Sequence, residues 1–499
     1  MSLCCWHNAR SMPSSSVDDA RFEPGRLRVL ADTYPLRDPL GDPDVIAVGP
    51  SGRGGVSWGS IRGVRDRDKS PSTRRMSALH RKKSQISDTH QYRQKLPAVM
   101  FSRAEISFWT ILKQCIGKEL SKITMPVVFN EPISLIQRLA EYMEYSFLID
   151  KALRCHNPVD RMEMVCAFVI AALSSNYKRI GKPFNPVLGE TFEFVRQDLG
   201  FRFVGEQVSH HPPITAFHAT GGGYSFQGSI QPKLSFWGKT VEICPRGLIR
   251  LELHKFKETY TWQNVDLIVH NVILGKLWME YRGNIQVSVN RGTHSATLTF
   301  KPAGWLTKEQ HHVEGFVYEG SVKKRALYGS WVLGMYSCGV STYDRFLADS
   351  EAKARHAAKE KINVEKTSLA TFNYDLAQQR TLWTVNERPA DSAQYYEFSR
   401  LAVSLNDKLP NMEMYLPPTD SRWRPDIRAM EEGLLDQASA QKERIEEKQR
   451  AARRDDKCRN RSFTPRWFSL KKNPDSRKDE WEYGHQYWDR DWTNCPSLF

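Results

Sequence analysis

The stretch Gly200-Phe201-Arg202-Phe203-Val204-Gly205-Glu206-Gln207-Val208-Ser209-His210-His211-Pro212-Pro213-Ile214 carries a strand into an abrupt stop. Its alternation of aromatic, β-branched and polar residues is that of a strand with one buried face. Two prolines, neither with an N–H to donate, then interrupt the ladder, and Pro212 restricts His211 to extended backbone. Adjacent histidines in a regular strand point to opposite faces. At such a stop both rings can converge on the strand's end, where they are able to hydrogen-bond a phosphate. The competing reading is a pair of ordinary hydrogen-bonded side chains. No carboxylate or cysteine stands at ligand spacing from them, so no metal is expected.

Working outward, more short strands follow: residues 233–243, 248–253, 284–289, 295–300 and 326–336 all alternate or are rich in β-branched and aromatic residues. Between them Gly221-Gly222-Gly223, Pro245-Arg246-Gly247 and Asn290-Arg291-Gly292 are hairpin turn signals. Many strands with short turns make an antiparallel meander. One this long must close or curl to hide its edges, and a large barrel encloses a cavity. The barrel core is expected over 181–348.

Ahead of it the period changes. Ile106, Trp109, Leu112, Ile116 and Leu120 recur every three or four residues, an amphipathic segment within 98–125. Leu135, Leu139, Tyr142 and Met143 repeat that period. Residues 164–173 are apolar nearly all round, which predicts a buried helix within a helical segment spanning 126–180. Residues 1–97 are rich in Ser, Gly, Pro and Arg, with a basic run at 74–84, and read as a disordered basic head. Beyond the barrel, 349–381 reads as a charged linker or insertion. The C-terminal subdomain, 382–499, mixes α and β. Within it TLWTV (381–385) and FSRLAVSL (398–405) look strand-like, and a helix is expected from about Leu434 to Arg454. The aromatics Trp467, Phe468, Trp481, Tyr483, Tyr487, Trp488 and Trp492 imply packing against the body. The fold class is mainly β with α.

A formal charge of +15 favours a polyanionic partner, nucleic acid or an anionic membrane, and charge does not choose between them. None of the nine cysteines forms a CxxC pair, and an odd count suits reduced thiols. The start lacks the apolar stretch of a secretory signal, and the run 164–173 is about half the ~20 residues needed to span a bilayer. Work on membranes would therefore be done from solution. Gly55-Val56-Ser57-Trp58-Gly59 fits a hydrolase nucleophile pattern but has no strand before it or helix after it. Gly221 to Gly223 lacks the Lys and Ser/Thr of a P-loop. His311-His312 is expected in a solvated polar loop. No catalytic residue, metal ligand or cofactor is assigned.

EQVSHHPPI (206–214) resembles the signature of the oxysterol-binding-protein-related lipid-transfer family. KPFNPVLGETFE (182–193), FQGSIQPKLSFWGKTVE (226–242), VHNVILGKLWMEYRGN (269–284) and EEKQRAARR (446–454) stand in the family's places around it. The resemblance runs from about Phe101 to the C-terminus and is closest to the short members; no pleckstrin-type domain or ankyrin repeat is recognisable ahead of it. It implies a large, nearly closed antiparallel β-barrel around a lipid tunnel, with an N-terminal helical lid carrying Ile106, Trp109, Leu112, Ile116 and Leu120. It also implies a basic rim for a phosphoinositide headgroup, PI(4)P or PI(4,5)P2, formed by Lys182, Asn185, His210, His211, Lys442, Glu446 and Arg450. Helix geometry independently places three of them together: spacings of i, i+4 and i+8 drift only about 40° per step, so Lys442, Glu446 and Arg450 share one face. Taken alone, such a face is an ordinary solvated one with weak pairs. The implied function is exchange of sterol and phosphoinositide between membranes without a covalent step, from the cytosol and peripherally at organelle membranes and membrane contact sites. The alternative is a lipid-sensing scaffold. Nucleic acid is not an expected partner, because no stacking module accompanies the charge.

Overall fold

The computed structural model describes residues 92–102, 125–272, 275–303, 311–359, 376, 378–473, 477 and 479–499. The lid positions Ile106, Trp109, Leu112, Ile116 and Leu120, and the head up to residue 91, lie outside the described residues.

Strand β1 (Asn130–Ser134) runs into helix α1 (Leu135–Ala140) at Ser134. The Ser134 hydroxyl accepts the Gln137 N–H while the Gln137 side chain accepts the Ser134 N–H, a reciprocal cap that starts the helix. A 3-10 segment, Glu141–Tyr145, leads to α2 (Phe147–Arg154). Then Asn157 caps α3 (Pro158–Ser174), which has proline in its first turn and is buried from Arg161 through Ser174. The all-round apolar pattern of 164–173 is thus a core helix.

β2 (Lys182–Phe184) pairs in parallel with β1. From β3 (Thr191–Arg196) the chain meanders through β4 (Phe201–His210), β5 (Pro213–Gly221), β6 (Tyr224–Trp237), β7 (Thr240–Arg246), β8 (Ile249–Leu253), β9 (Glu258–Trp262) and β10 (Asp266–His270). It continues through β11 (Trp278–Val289), β12 (His294–Phe300), β13 (His312–Glu319), β14 (Val322–Ser330), β15 (Gly334–Cys338) and β16 (Arg380–Thr384). These fourteen strands form one antiparallel sheet with β3 and β16 at its ends, a nearly closed barrel. The β3 end is covered: Thr191 N–H donates to Thr419 O at 2.9 Å.

The turn at Pro245-Arg246-Gly247 is not a hairpin. β7 and β8 both pair with β6 and together form one interrupted line beside it, while β9 and β10 form a second. At the break Gly247 has φ +139°, and a Cβ there would stand 1.8 Å from the Ser229 carbonyl oxygen, so a side chain would force the strands apart. Inside the curl, α3 packs against β12 to β16 on one side. On the other, the Phe168 ring lies edge-on to Phe226 of β6 at 5.3 Å and to Trp262 of β9 at 6.5 Å. One end of the barrel is therefore plugged by a helix.

Elsewhere the structure departs from the sequence expectations in recognisable ways. The charged stretch after Asp349 begins as helix, the second half of α4 (Val340–Lys359), whose Tyr343 is buried against Tyr328. FSRLAVSL is not a strand: Ser399 caps α5 (Arg400–Ser404) by accepting the Ala402 N–H, and its apolar residues are buried on more than one side. His311 is not solvated. It is buried edge-on to Trp331 and Tyr177, at 5.0 and 5.3 Å between ring centroids. Tyr92, within the expected head, donates to Val195 O at 3.0 Å, and Leu96 is in the core.

The C-terminal region supplies α6 (Pro425–Glu431), α7 (Leu435–Cys458) and the hairpin β17 (Phe468–Lys472) and β18 (Asp479–Tyr483). Trp467, Phe468, Tyr483 and Tyr487 pack on Val204, Val208 and Ala216, the outer face of β4 and β5. The Glu206 carboxylate accepts the backbone N–H groups of Arg466 and Trp467 at 2.8 and 2.9 Å, with burial pushing its pKa up to about 7. Among the described residues no helix is long and apolar enough to cross a membrane.

Candidate functional site

Past the helix plug the barrel is hollow. A cavity of about 550 Å³ lies between β6, β7 and β10, α1 and its 3-10 extension, the segment 180–187 and the inner face of α7. Its size falls within the ~300–1,000 Å³ common for ligand pockets. Leu234, Val241, Ile243, Leu267 and Val269, on one registered layer of the three strands, form an apolar wall. Two polar pairs interrupt the lining: Asn264 donates to the Tyr142 hydroxyl at 2.9 Å, and Asn176 to the Tyr281 hydroxyl at 2.8 Å.

All seven rim residues named from the sequence line this one cavity: Lys182, Asn185, His210, His211, Lys442, Glu446 and Arg450. Three separate devices bring them together. The first is the turn holding Lys182 and Asn185. Glu190 is fully buried and accepts the Val187 N–H, the Ser421 hydroxyl and Arg424 Nη1 at 2.9, 2.6 and 2.8 Å; Arg424 in turn donates to Asn185 O at 3.0 Å. The glutamate of the KPFNPVLGE segment is thus an internal clamp on the loop.

The second device is the β4–β5 hairpin. The prolines do not end the ladder as the sequence suggested: β5 starts at Pro213, which pairs with His210, and the cis His211–Pro212 bond lies at the tip. The register slips between Gln207 and Ser209. Gln207 Nε2 donates to Ser209 O at 2.9 Å, and the Ser209 hydroxyl to Pro212 O at 2.7 Å, which shapes the slipped turn. As a result the two imidazoles do converge, 4.8 Å between centroids.

The third is α7. Ala438 and Ile445, two turns apart, are its buried anchors and turn Lys442 and Gln449 inward. Lys442 Nζ meets Glu446 Oε1 at 2.5 Å, and Arg450 Nη1 stands 3.7 Å from Glu446 Oε2. Arg450 is the outermost of the three and also bonds Glu447.

At the rim, burial and neighbouring positive charge disfavour the protonated forms of Lys182 and His210. Burial, aided by the nearby Lys442 charge, lowers Lys182 to about 8. Burial, with His211 and Arg453 adding repulsion, lowers His210 to about 4, so that ring is neutral at pH 7. An arriving anion relieves both penalties. Gln449, Arg453 and Arg424 also line the cavity and went unnamed in the sequence reading. Gln449 and Arg453 lie within the EEKQRAARR match, so their helical spacing from Lys442 was the available signal. Arg424 lacked any local one.

Residues 107–492 match the family model described as oxysterol-binding protein. The chain is 45% identical over 456 residues to oxysterol-binding protein-related protein 2 of Mus musculus, covering 88% of this chain and 94% of that one. It is 47% identical over 419 residues to oxysterol-binding protein-related protein 1 of Rattus norvegicus, covering 82% of this chain but only 44% of that longer protein. Among solved structures it is similar to the Osh1 ORD domain in complex with cholesterol, at TM-score 0.72 and 30% identity, over 87% of this chain and 100% of that one. It is also similar to the Osh3 ORD in complex with PI(4)P from Saccharomyces cerevisiae, at TM-score 0.66 and 28% identity, over 82% and 99%.

Proposed function

The chain belongs to the oxysterol-binding protein family, and from that premise we propose that it carries sterol and phosphoinositide, one molecule at a time, between membranes without a covalent step. The observation that carries this reading is the meeting of all seven rim residues at the mouth of an apolar-walled cavity. The cholesterol and PI(4)P bound by the two similar structures support the pair of ligands.

Apolar walls gain about 2.5 kcal/mol for each ~100 Å² of lipid surface removed from water. That gain suits a sterol and an acyl chain alike, and must offset an association cost of ~4–15 kcal/mol. It does not discriminate, so selection of a phosphoinositide falls to the rim. Lys182 and Lys442 pair with phosphate, His210 and His211 donate to it, and Arg450 reaches a more exposed oxygen. Glu446 orients the two cations beside it and accepts from inositol hydroxyls, and Asn185 supplies a neutral donor. Such charge-assisted bonds are worth ~1.5–3 kcal/mol each. A sterol needs none of them; the Tyr142–Asn264 and Asn176–Tyr281 pairs are among the hydrogen-bonding groups its hydroxyl would meet. Both lipids require the same apolar room, so they exclude each other while depending on different polar residues. The net charge of +15 suits peripheral visits to anionic organelle membranes and contact sites from the cytosol.

The test is transfer between donor and acceptor liposomes carrying labelled sterol and PI(4)P. Acceleration of both, each driving the other, is expected. Tight binding of both with no transfer would instead make the protein a lipid-sensing scaffold.

A further inference from the structure

Gln449 connects all three devices of the rim. The Leu188 N–H, in the loop of the KPFNPVLGE segment, donates to its Oε1 at 2.7 Å, and its Nε2 lies 2.9 Å from His210 Nε2. The backbone donor fixes which way the amide points: an N–H must meet a carbonyl oxygen, so the amide nitrogen is the atom turned to the imidazole. That nitrogen can only donate. His210 Nε2 is then the acceptor, and the ring's single proton sits on Nδ1, a buried atom with no hydrogen-bond partner among the described residues.

We propose that Gln449 is a positioning residue that keeps His210 neutral, with its proton on Nδ1, while the cavity is empty, and yields Nε2 to an oxyanion only when its amide is displaced or the ring gains a second proton. The surroundings act in the same direction. His211 on the hairpin, Lys182 on β2, and Lys442, Arg450 and Arg453 on α7 are all cationic or able to become so, with Glu446 the one carboxylate among these cavity-lining groups. An added proton on His210 is therefore unfavourable until an anion enters. The entering phosphate does two things at once: it replaces the amide at Nε2 and supplies the negative charge that makes imidazolium stable. Headgroup capture is thus coupled to proton uptake at His210, and Gln449 sets the threshold. Only the identity of the anion rests on the function proposed above; the proton placement stands on the geometry.

The test uses the full chain, with ring nitrogens observed by ¹⁵N–¹H correlation. Lipid-free wild-type His210 is expected as the Nδ1–H tautomer, uncharged across neutral pH. In Gln449→Glu the Leu188 bond survives but the group facing Nε2 becomes an anionic acceptor, so His210 should titrate about one to three pH units higher. Gln449→Ala should give a smaller rise, and PI(4)P binding up to about fivefold tighter at neutral pH, because no amide has to be displaced. An Nε2–H tautomer in the wild type, an unmoved titration in Gln449→Glu, or weaker PI(4)P binding in folded Gln449→Ala would each overturn the proposal. Wild-type protein that shows the Nδ1–H tautomer yet binds no PI(4)P would instead refute the assigned ligand and leave the tautomer assignment intact.

Discussion

Strand β6 is two strands in chemical terms. In its first half, Tyr224, Phe226, Gly228 and Ile230 point inward and are buried, with Phe226 against Phe168, Phe217 and Trp262. In its second half the same inward register continues through Pro232 and Leu234, yet these are only half-buried, because what they face is cavity instead of protein. The partners repeat the contrast: Leu251 and Leu253 on β8 are buried, while Val241 and Ile243 on β7, in the same line of chain, are not. A pleated sheet gives both halves the same alternation. What differs is the occupant: α3 fills one end, and among the described residues none fills the other. An apolar wall that faces a cavity is stable only because enough core elsewhere holds the barrel, and it is the part of the molecule open to a guest.

The largest effect should come from the plugged end. Phe168→Ala removes the ring that packs on Phe226 of β6 and Trp262 of β9 and should cost about 3–5 kcal/mol of unfolding free energy, read by denaturant titration. A cost near 1 kcal/mol would mean the two ends do not differ as described. Next is the rim of the hollow end. Lys182→Ala combined with Lys442→Ala should weaken PI(4)P extraction at least a hundredfold, from the loss of two charge-assisted bonds, while sterol extraction is retained. His210→Ala with His211→Ala should act in the same direction. Equal loss of both lipids in folded variants would contradict separate polar sites.

A smaller effect is pH dependence. The Lys182 amine in the empty cavity loses its proton near pH 8, below its ordinary value, because it is desolvated and beside Lys442. A bound phosphate raises that value, so binding takes up a proton above pH 8. PI(4)P affinity should therefore be highest below pH 8 and fall, by at most about tenfold per unit, as pH rises from there toward the bound value. Lys182→Met should flatten that fall, and sterol affinity should not follow it. Smallest is Leu234→Ala, which thins a wall that already faces space. It should cost about 1 kcal/mol of stability, well under the usual buried-leucine penalty, and weaken both lipids alike. A full 3 kcal/mol would show Leu234 to be packed core.

Much of this was legible beforehand for physical reasons that differ by region. The meander could be read because turns are local: Gly221-Gly222-Gly223 and Asn290-Arg291-Gly292 sit where hairpins are. Pro245-Arg246-Gly247 carries the same turn chemistry, yet serves to break one long line into β7 and β8. Whether a glycine ends a strand or interrupts it depends on the neighbour across the sheet, here Ser229, which lies outside any local window. FSRLAVSL was misread because five apolar positions in eight satisfy either period when the segment is buried on several sides, and only the Ser399 cap decides. The rim residues were found through the family resemblance. The helix spacing alone would have left Lys442, Glu446 and Arg450 as a solvated face. What no local pattern revealed is how they are held: Glu190 to Arg424, Glu206 to Arg466 and Gln449 to Leu188 all join residues more than two hundred positions apart.

The most direct measurement is native mass spectrometry of the intact chain incubated with sterol and PI(4)P together. One lipid per chain is expected, either sterol or phosphoinositide, with the balance shifting toward sterol in the Lys182→Ala, Lys442→Ala double variant. A population carrying both lipids at once, or a chain that stays empty in the presence of both, would contradict a single hollow shared by two competing guests.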